Sequence, residues 1–523
     1  MKEGKSDVSQ EYSSDIFLHG PDVMFEHFAA IFRSFVTHGT ISKEILCCAF
    51  LPLFKGGFKN PAKFDSYRAI AGASQILKLF EYVILVLWGH YLSSDSLQFG
   101  FKKHMSTTQC SWLVHEVSNY FVQRGESVTA CFMDLTKAFD KVLFHKLFIK
   151  VKDKGLPPVI IRVLIYAYQE QKGWVRLAGK DSDEFNLTNG TRQGSVLSPY
   201  LFAACYLDPL LVKLRKEELG CHIAGMWFGA CGYADDICLL ANNRLVLQKM
   251  VTICESFGKE HNLIFSTDPT PAKSKTKCVM FCGNNSSNYP VPVILDGKQL
   301  PWVQKTEHLG HIFHQNLSME CDSYRARASF MTRSSDLRDS LHFAEPQQRV
   351  QAIQLYCSDA YGALLYDFRS DYADSLFKAW NIQVRLAWNV PPTTHTWLVE
   401  GYFCDKMQSL KNQIMSRYPK FVKKLLESPS KEIRFLSRIL LSDRRSQLNR
   451  NVHYLSSVTN VNILEYPIYK YKQLLPKKLV PINDQWRLGL LTSLLHARKT
   501  KEFSFLNLNK SQCQDMINSL CSS

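Results

Sequence analysis

Long apolar runs are missing from these 523 residues. The longest, Tyr82 to Trp88 (YVILVLW), is far short of a membrane span and reads as a buried helix. The amino terminus, MKEGKSDVSQ, is polar and lacks the apolar stretch of a signal peptide, which argues against secretion and for an intracellular place, nucleus or cytoplasm. Paired cysteines are also missing. The 16 cysteines are scattered singly or as Cys47-Cys48, so neither a disulfide framework nor a zinc module is signalled, and a reducing compartment is expected. Cys278 and Cys282 bracket a short apolar strand and read as core thiols. No low-complexity linker or internal repeat is present. Acidic residues are in deficit, 47 against 63 basic ones, and the resulting charge of +16 suits a phosphate backbone as partner. With 46% hydrophobic residues the chain is long enough for several packed sub-domains.

On that basic background the placing of the acidic residues is informative. Gly232 to Ala241 (GYADDICLLA) reads as a strand, a tight turn carrying Asp235 and Asp236, and a second strand. Like charges at a turn tip repel, and a divalent cation held by carboxylate oxygens is the usual offset; two solvated aspartates are the plain alternative. About one hundred residues upstream, Val128 to Asp140 (VTACFMDLTKAFD) delivers Asp134 to the end of another β-prone run. Side by side, Asp134, Asp235 and Asp236 would form an oxygen cage for two magnesium ions.

These stretches resemble the reverse transcriptases of non-LTR (LINE-type) retrotransposons. Phe132 to Val142 (FMDLTKAFDKV) is similar to that family's motif A, Asn189 to Phe202 (NGTRQGSVLSPYLF) to motif B, and Tyr233 to Asp236 (YADD) to motif C, in the family's order. The resemblance runs from about Leu53 to Phe313. It implies an α+β right-hand polymerase with an antiparallel palm sheet, fingers and a helical thumb. It also implies an RNA-directed DNA polymerase that adds deoxynucleotides to a primer 3′-hydroxyl, with Asp134, Asp235 and Asp236 as catalytic metal ligands for two Mg2+, Mn2+ being a substitute. RNA template, DNA primer or RNA–DNA hybrid, and deoxynucleoside triphosphates are the implied partners. The implied parts are an N-terminal helical segment (1–50), fingers and palm (51–285), primer grip and helical thumb (286–390) and a helical carboxy-terminal extension (391–523). The same resemblance leads us to expect no endonuclease of the kind many relatives carry ahead of the polymerase.

Further positions follow from the same resemblance. Tyr67-Arg68-Ala69-Ile70-Ala71 stands where relatives have Y-R-P-I-S, and Arg68 matches the position that contacts the incoming triphosphate, a task suited to a guanidinium fork. Lys55 is a weaker candidate of the same kind. Gln98 to Thr107 (QFGFKKHMST) matches a stretch bordering the template. Phe139 matches the steric gate that rejects a 2′-hydroxyl, with a core phenylalanine as the alternative. Gln193 matches the nucleotide-pocket glutamine, and Gly194 permits backbone to pass close to the nascent pair. Lys273 and Lys275 compete as the acid that protonates pyrophosphate, although a solvated edge strand explains both equally well. His308 to Phe313 resembles the primer grip. Arg325, Arg327, Arg333 and Arg338 would line a thumb, or a solvated surface. Val293 to Leu300 reads as a hairpin turning at Asp296-Gly297. Two rival readings are a group II intron maturase-like enzyme and an idle remnant that only binds nucleic acid.

Overall fold

The computed structural model describes residues 3–9, 13–56, 60–268, 270, 274–283, 291–394 and 408–465. Helices and sheets are mixed, and contacts divide the chain into two compact units. The first comprises Met1–Cys110, Glu126–Cys282 and Ser286–Gln304. The second comprises Ser111–Gly125, Gly283–Asn285 and Lys305–Ser523.

A four-stranded antiparallel sheet lies at the centre of the first unit. Its order is Lys277–Phe281, Val128–Met133, Asp236–Ala241, Ala230–Tyr233. All six residues of Val128–Met133 are buried, which is why that stretch is apolar throughout rather than alternating. The helix Arg244–Glu260 packs on this sheet and is capped by Asn243, whose side chain accepts from Val246 N–H.

A second sheet joins Cys48–Phe54 to Tyr67–Ala73 in seven antiparallel pairs and to Lys172–Leu177 in parallel. Phe185–Asn186 pairs back, antiparallel, on Lys172–Leu177 just before motif B. Ser74 caps the helix Gln75–Trp88 through Ile76 N–H. Phe80 of that helix meets Phe32 and Phe35 of the helix Asp22–His38, at ring-centroid distances of 5.2 and 5.5 Å. The expected burial of Tyr82 to Trp88 does not hold. The run is helical, but Val86 is 81% exposed and Leu87 54%, because 3.6-residue periodicity gives the core only one face of an all-apolar stretch.

Motif B runs into a helical stretch of three contiguous parts, Ser198–Tyr200, the widened π-helical Leu201–Leu207 and Asp208–Lys216. Every residue of the π segment is buried. The expected hairpin at Asp296-Gly297 is present, Val293–Leu295 pairing with Lys298–Leu300 around two positive-φ residues.

The second unit takes most of the helix Thr107–Val122 and then, from Lys305 on, a hairpin, Lys305–His308 against His311–His314, followed by helices Glu320–Ser340, Pro346–Tyr356, Asp371–Ala387, Leu410–Leu426, Lys431–Ser442 and Gln447–Thr459. Four of these begin at a serine whose side chain accepts a backbone N–H, namely Ser370, Ser409, Ser430 and Ser446. Part of the expected thumb arginine is turned inward. Arg325 bonds Asp322, Arg333 bonds Asp359 and Cys357 O, and Arg338 bonds Gln383. The helix Asp371–Ala387 ends just before the expected boundary at 390/391, and residues 395–407 and those after 465 lie outside the described residues. Among the described residues no helix is long and apolar enough to cross a membrane.

Candidate active site

Strand register assembles the acidic site. Met133 pairs with Ile237 and Phe132 with Lys277, so each pairing continued past the strand end sets Asp134 beside Asp236 on one side and Lys275 on the other. Opposed residues in such a sheet have Cβ atoms about 5 Å apart. The Lys275 ammonium lies 3.2 Å from Asp134 Oδ2. Asp134 N–H donates to Thr276 Oγ1 at 3.3 Å, and its carbonyl accepts from Ser266 N–H at 2.8 Å, which ties the end of the strand to the segment between the helix Arg244–Glu260 and the strand Lys277–Phe281.

Asp235 occupies a two-residue turn. Tyr233 pairs with Asp236, leaving Ala234 and Asp235 as the loop, and Ala234 has φ +55°. Positive φ at the first loop residue alone is the II′ pattern, which normally takes glycine there; alanine costs on the order of 1 kcal/mol. The Gln98 side chain holds this turn. Its Oε1 accepts from Ala234 N–H at 2.8 Å and its Nε2 donates to Ala234 O at 3.4 Å.

The electrostatics are those of crowded carboxylates. Burial, then the charges of Asp235 and Asp134, push Asp236 up to about 7. Burial and the Asp134 charge also raise Asp235, opposed by Lys275 and Arg68. The oxygen-only donor set and its unbalanced negative charge fit hard divalent cations. As they stand, no three His, Cys, Asp or Glu side chains among the described residues have metal-holding geometry.

The other expected residues fall as follows. Arg68 is exposed on the strand Tyr67–Ala73, near enough for its charge to act on Asp235. Ala71, on the same strand, donates its N–H to Gln193 O at 2.7 Å. Gly194 has φ +123°, and a Cβ there would lie 2.5 Å from Ala71 O, so both backbone conformation and space demand glycine. Phe139 is half-buried, its ring stacked on Phe202 at 4.4 Å. Its carbonyl accepts from Thr191 N–H at 2.7 Å, which brings motifs A and B together. Lys273 lies outside the described residues.

Sequence reasoning missed two supports. Glu81 is buried and accepts from Ser195 Oγ at 2.8 and 2.7 Å, Val196 N–H at 2.7 Å and Leu197 N–H at 3.2 Å, capping the motif B helix from another segment. Arg192 stands 3.5 Å from the same carboxylate. A charged residue inside an apolar run was the available signal for Glu81. Gln98 opens the stretch expected to border the template and is itself fully buried against the turn. Its signal was the pairing of glutamine with Gly100, which lets two backbones approach.

Residues 58–313 match the family model described as reverse transcriptase (RNA-dependent DNA polymerase). The RNA-directed DNA polymerase from mobile element jockey of Drosophila funebris is 24% identical over 60% of this chain and 34% of its own length. The putative 115 kDa protein in type-1 retrotransposable element R1DM of Drosophila melanogaster is 26% identical over 54% of this chain and 26% of its own. The chain therefore spans about a third of these relatives' length, or less. A structure of apo telomerase from Candida tropicalis, truncated from the C-terminal domain, aligns at TM-score 0.35 with 14% identity over 52% of this chain and 54% of that one, a score from which no correspondence is drawn. Residues 58–313, then, carry a match to the reverse transcriptase (RNA-dependent DNA polymerase) domain, and the relatives found are polymerases and proteins named from non-LTR retrotransposons.

Proposed function

We propose that the chain is an RNA-directed DNA polymerase that extends a primer 3′-hydroxyl with deoxynucleotides along an RNA template. The observation that carries this reading is the row formed by Asp236, Asp134 and Lys275 at the ends of adjacent strands, with Asp235 on the neighbouring turn. In this reading Asp134, Asp235 and Asp236 hold two Mg2+ ions. Bound there, the ions supply charge stabilisation to the attacking and leaving oxygens.

The protein's own groups do the rest. Arg68 meets the triphosphate with its guanidinium. Gln193 and Gly194 shape the nucleotide pocket where backbone runs close to the strand carrying Arg68. Phe139 excludes a 2′-hydroxyl from beneath the sugar. Lys275, within reach of Asp134, hands a proton to the departing pyrophosphate, a role for which Lys273 competes. Residues 51–285 serve as fingers and palm, 286–390 as primer grip and thumb, and 391–523 as a helical extension that follows. The +16 charge supports a nucleic-acid partner, since displaced counterions drive such binding.

The test is primer extension on a defined RNA template with Mg2+, beside RNA–DNA hybrid binding. Templated extension by the wild type, lost in Asp235→Asn with binding retained, is the expected result. Binding without extension in the wild type would replace this reading with a nucleic-acid-binding remnant.

A further inference from the structure

We propose that Gln98 is a positioning residue for the polymerase centre: its carboxamide clamps the peptide of Ala234 and so sets the direction in which Asp235 and Asp236 present their carboxylates. This rests on the polymerase reading above.

The clamp is built by backbone first. Phe99 N–H donates to Gly232 O at 2.7 Å and Gly232 N–H donates to Leu97 O at 2.9 Å, a parallel bridge that lays the Leu97–Phe99 segment along the outer strand of the catalytic hairpin. Leu97, Gln98 and Phe99 are all fully buried. From this fixed base the Gln98 side chain spans the turn peptide. Oε1 takes two N–H groups, those of Ala234 at 2.8 Å and Gly100 at 2.9 Å, and Nε2 returns a bond to Ala234 O at 3.4 Å.

Space around the clamp admits nothing larger. A Cβ on Gly100 would sit 2.4 Å from Ala234 N, and one on Gly232 would sit 3.2 Å from Gln98 Nε2. The plain reading is a buried amide that found partners, as buried polar groups must. What decides against it is which peptide is held. Ala234 carries the strained positive φ, and it immediately precedes the two carboxylates. An alanine in that conformation persists only where the surroundings hold it, and here the hold is a neutral group. Neutrality matters because Asp235 and Asp236 already repel each other and Asp134, so an anionic clamp would add to that repulsion.

The experiment compares Gln98→Asn, Gln98→Met and Gln98→Glu in the full chain, measuring kcat, the half-saturating Mg2+ concentration, hybrid affinity and melting temperature. Asparagine withdraws the amide by one carbon–carbon bond, about 1.5 Å, and methionine keeps the length without the bonds. Both should lower kcat about a hundredfold, the scale expected for a misplacement of about 1 Å. Half-saturating Mg2+ should rise about tenfold and hybrid affinity change less than threefold, on the same scale of reasoning. Glutamate keeps the acceptor for both N–H groups and should fall between these variants and the wild type. A purely structural glutamine would instead lower melting temperature and affinity together and show no such ordering.

The clamp is overturned if Gln98→Asn keeps kcat and Mg2+ dependence near wild type, or if Gln98→Glu is no better than Gln98→Met. Should asparagine and methionine prevent folding, glutamate decides alone: loss of affinity in step with kcat refutes the clamp, and loss of kcat and Mg2+ response at preserved affinity supports it. An inactive wild type sinks the polymerase reading and the clamp with it. An active wild type with an indifferent Gln98→Asn sinks the clamp only.

Discussion

Asp236 in the first unit is half-buried and Asp322 in the second fully buried, and their acidities move in opposite directions. Asp236 is pushed up to about 7 by burial and by Asp235 and Asp134. Asp322 is fully buried, which works to raise it, but His311, 3.5 Å away, and the Arg325 hydrogen bond outweigh burial and hold it at about 2. Its oxygens also accept from Ile312 N–H at 2.9 Å and Tyr366 OH at 2.7 Å. The Asp322 site is complete, because every lone pair that matters is met by a donor of the same chain. The Asp236 site has surplus negative charge and calls for a cation from outside. Carboxylates drawn from water are thus not one class: donors of the same chain satisfy one of them, and neighbouring carboxylates leave the other unbalanced. Beside the Asp322 hub, burial and His311 hold His308 down at about 3, so that histidine stays neutral across the working range.

The largest effect expected is on activity in the first unit. Asp134→Asn, Asp235→Asn and Asp236→Asn should each lower extension on the order of 10³-fold or more, since removing a ligand strips several kcal/mol of charge stabilisation. Melting temperature should hold or rise as repulsion is relieved. The contrast breaks if Asp322→Asn does the same without loss of stability.

Next comes stability in the second unit. Asp322→Asn leaves Arg325 facing a neutral amide in a closed network and should lower stability by about 3–5 kcal/mol, read by denaturant or thermal unfolding. A variant as stable as the wild type would show that the hub is not what holds this unit together.

The pH dependence should separate the two sites by sign. Asp322 has its folded value below the ordinary 3.8, so its contribution, on the order of 2 kcal/mol, is present above about pH 4 and lost as pH falls towards about 2. Asp236 has its folded value above 3.8, so the folded state binds the extra proton, and metal-free stability should decline as pH rises from about 4 to about 7. Mg2+ at pH 8 should raise the melting temperature of the wild type and leave that of Asp235→Asn nearly unchanged. Equal slopes in wild type and Asp236→Asn would show that the repulsion is not real.

The smallest effect concerns shape rather than charge. Phe139→Val should relax discrimination against ribonucleotides by about tenfold, while deoxynucleotide use suffers less. Its ring also packs on Phe202, so some loss of melting temperature is expected in any case. An unchanged sugar ratio with a lowered melting temperature would leave the ring as packing alone.

Local pattern settled a good deal. The strand leading to Asp134, the strand–turn–strand around Asp235 and Asp236, the helix after Ser74 and the Asp296-Gly297 hairpin are all legible from apolar periodicity and turn chemistry over ten residues or fewer. The family, too, was legible, because motif order survives where overall identity is about a quarter. Other features depend on segments far apart in sequence. Whether Tyr82 to Trp88 would be covered, that Glu81 would cap a helix 115 residues later, and that Gln98 would hold the turn at Ala234 were decided by the tertiary structure. So was the difference between Asp236 and Asp322, since the sequence shows an aspartate in either place. An amino acid carries its own charge and propensity into the fold, but the donors that surround it come from elsewhere in the chain, and they decide whether that charge is satisfied or left to act.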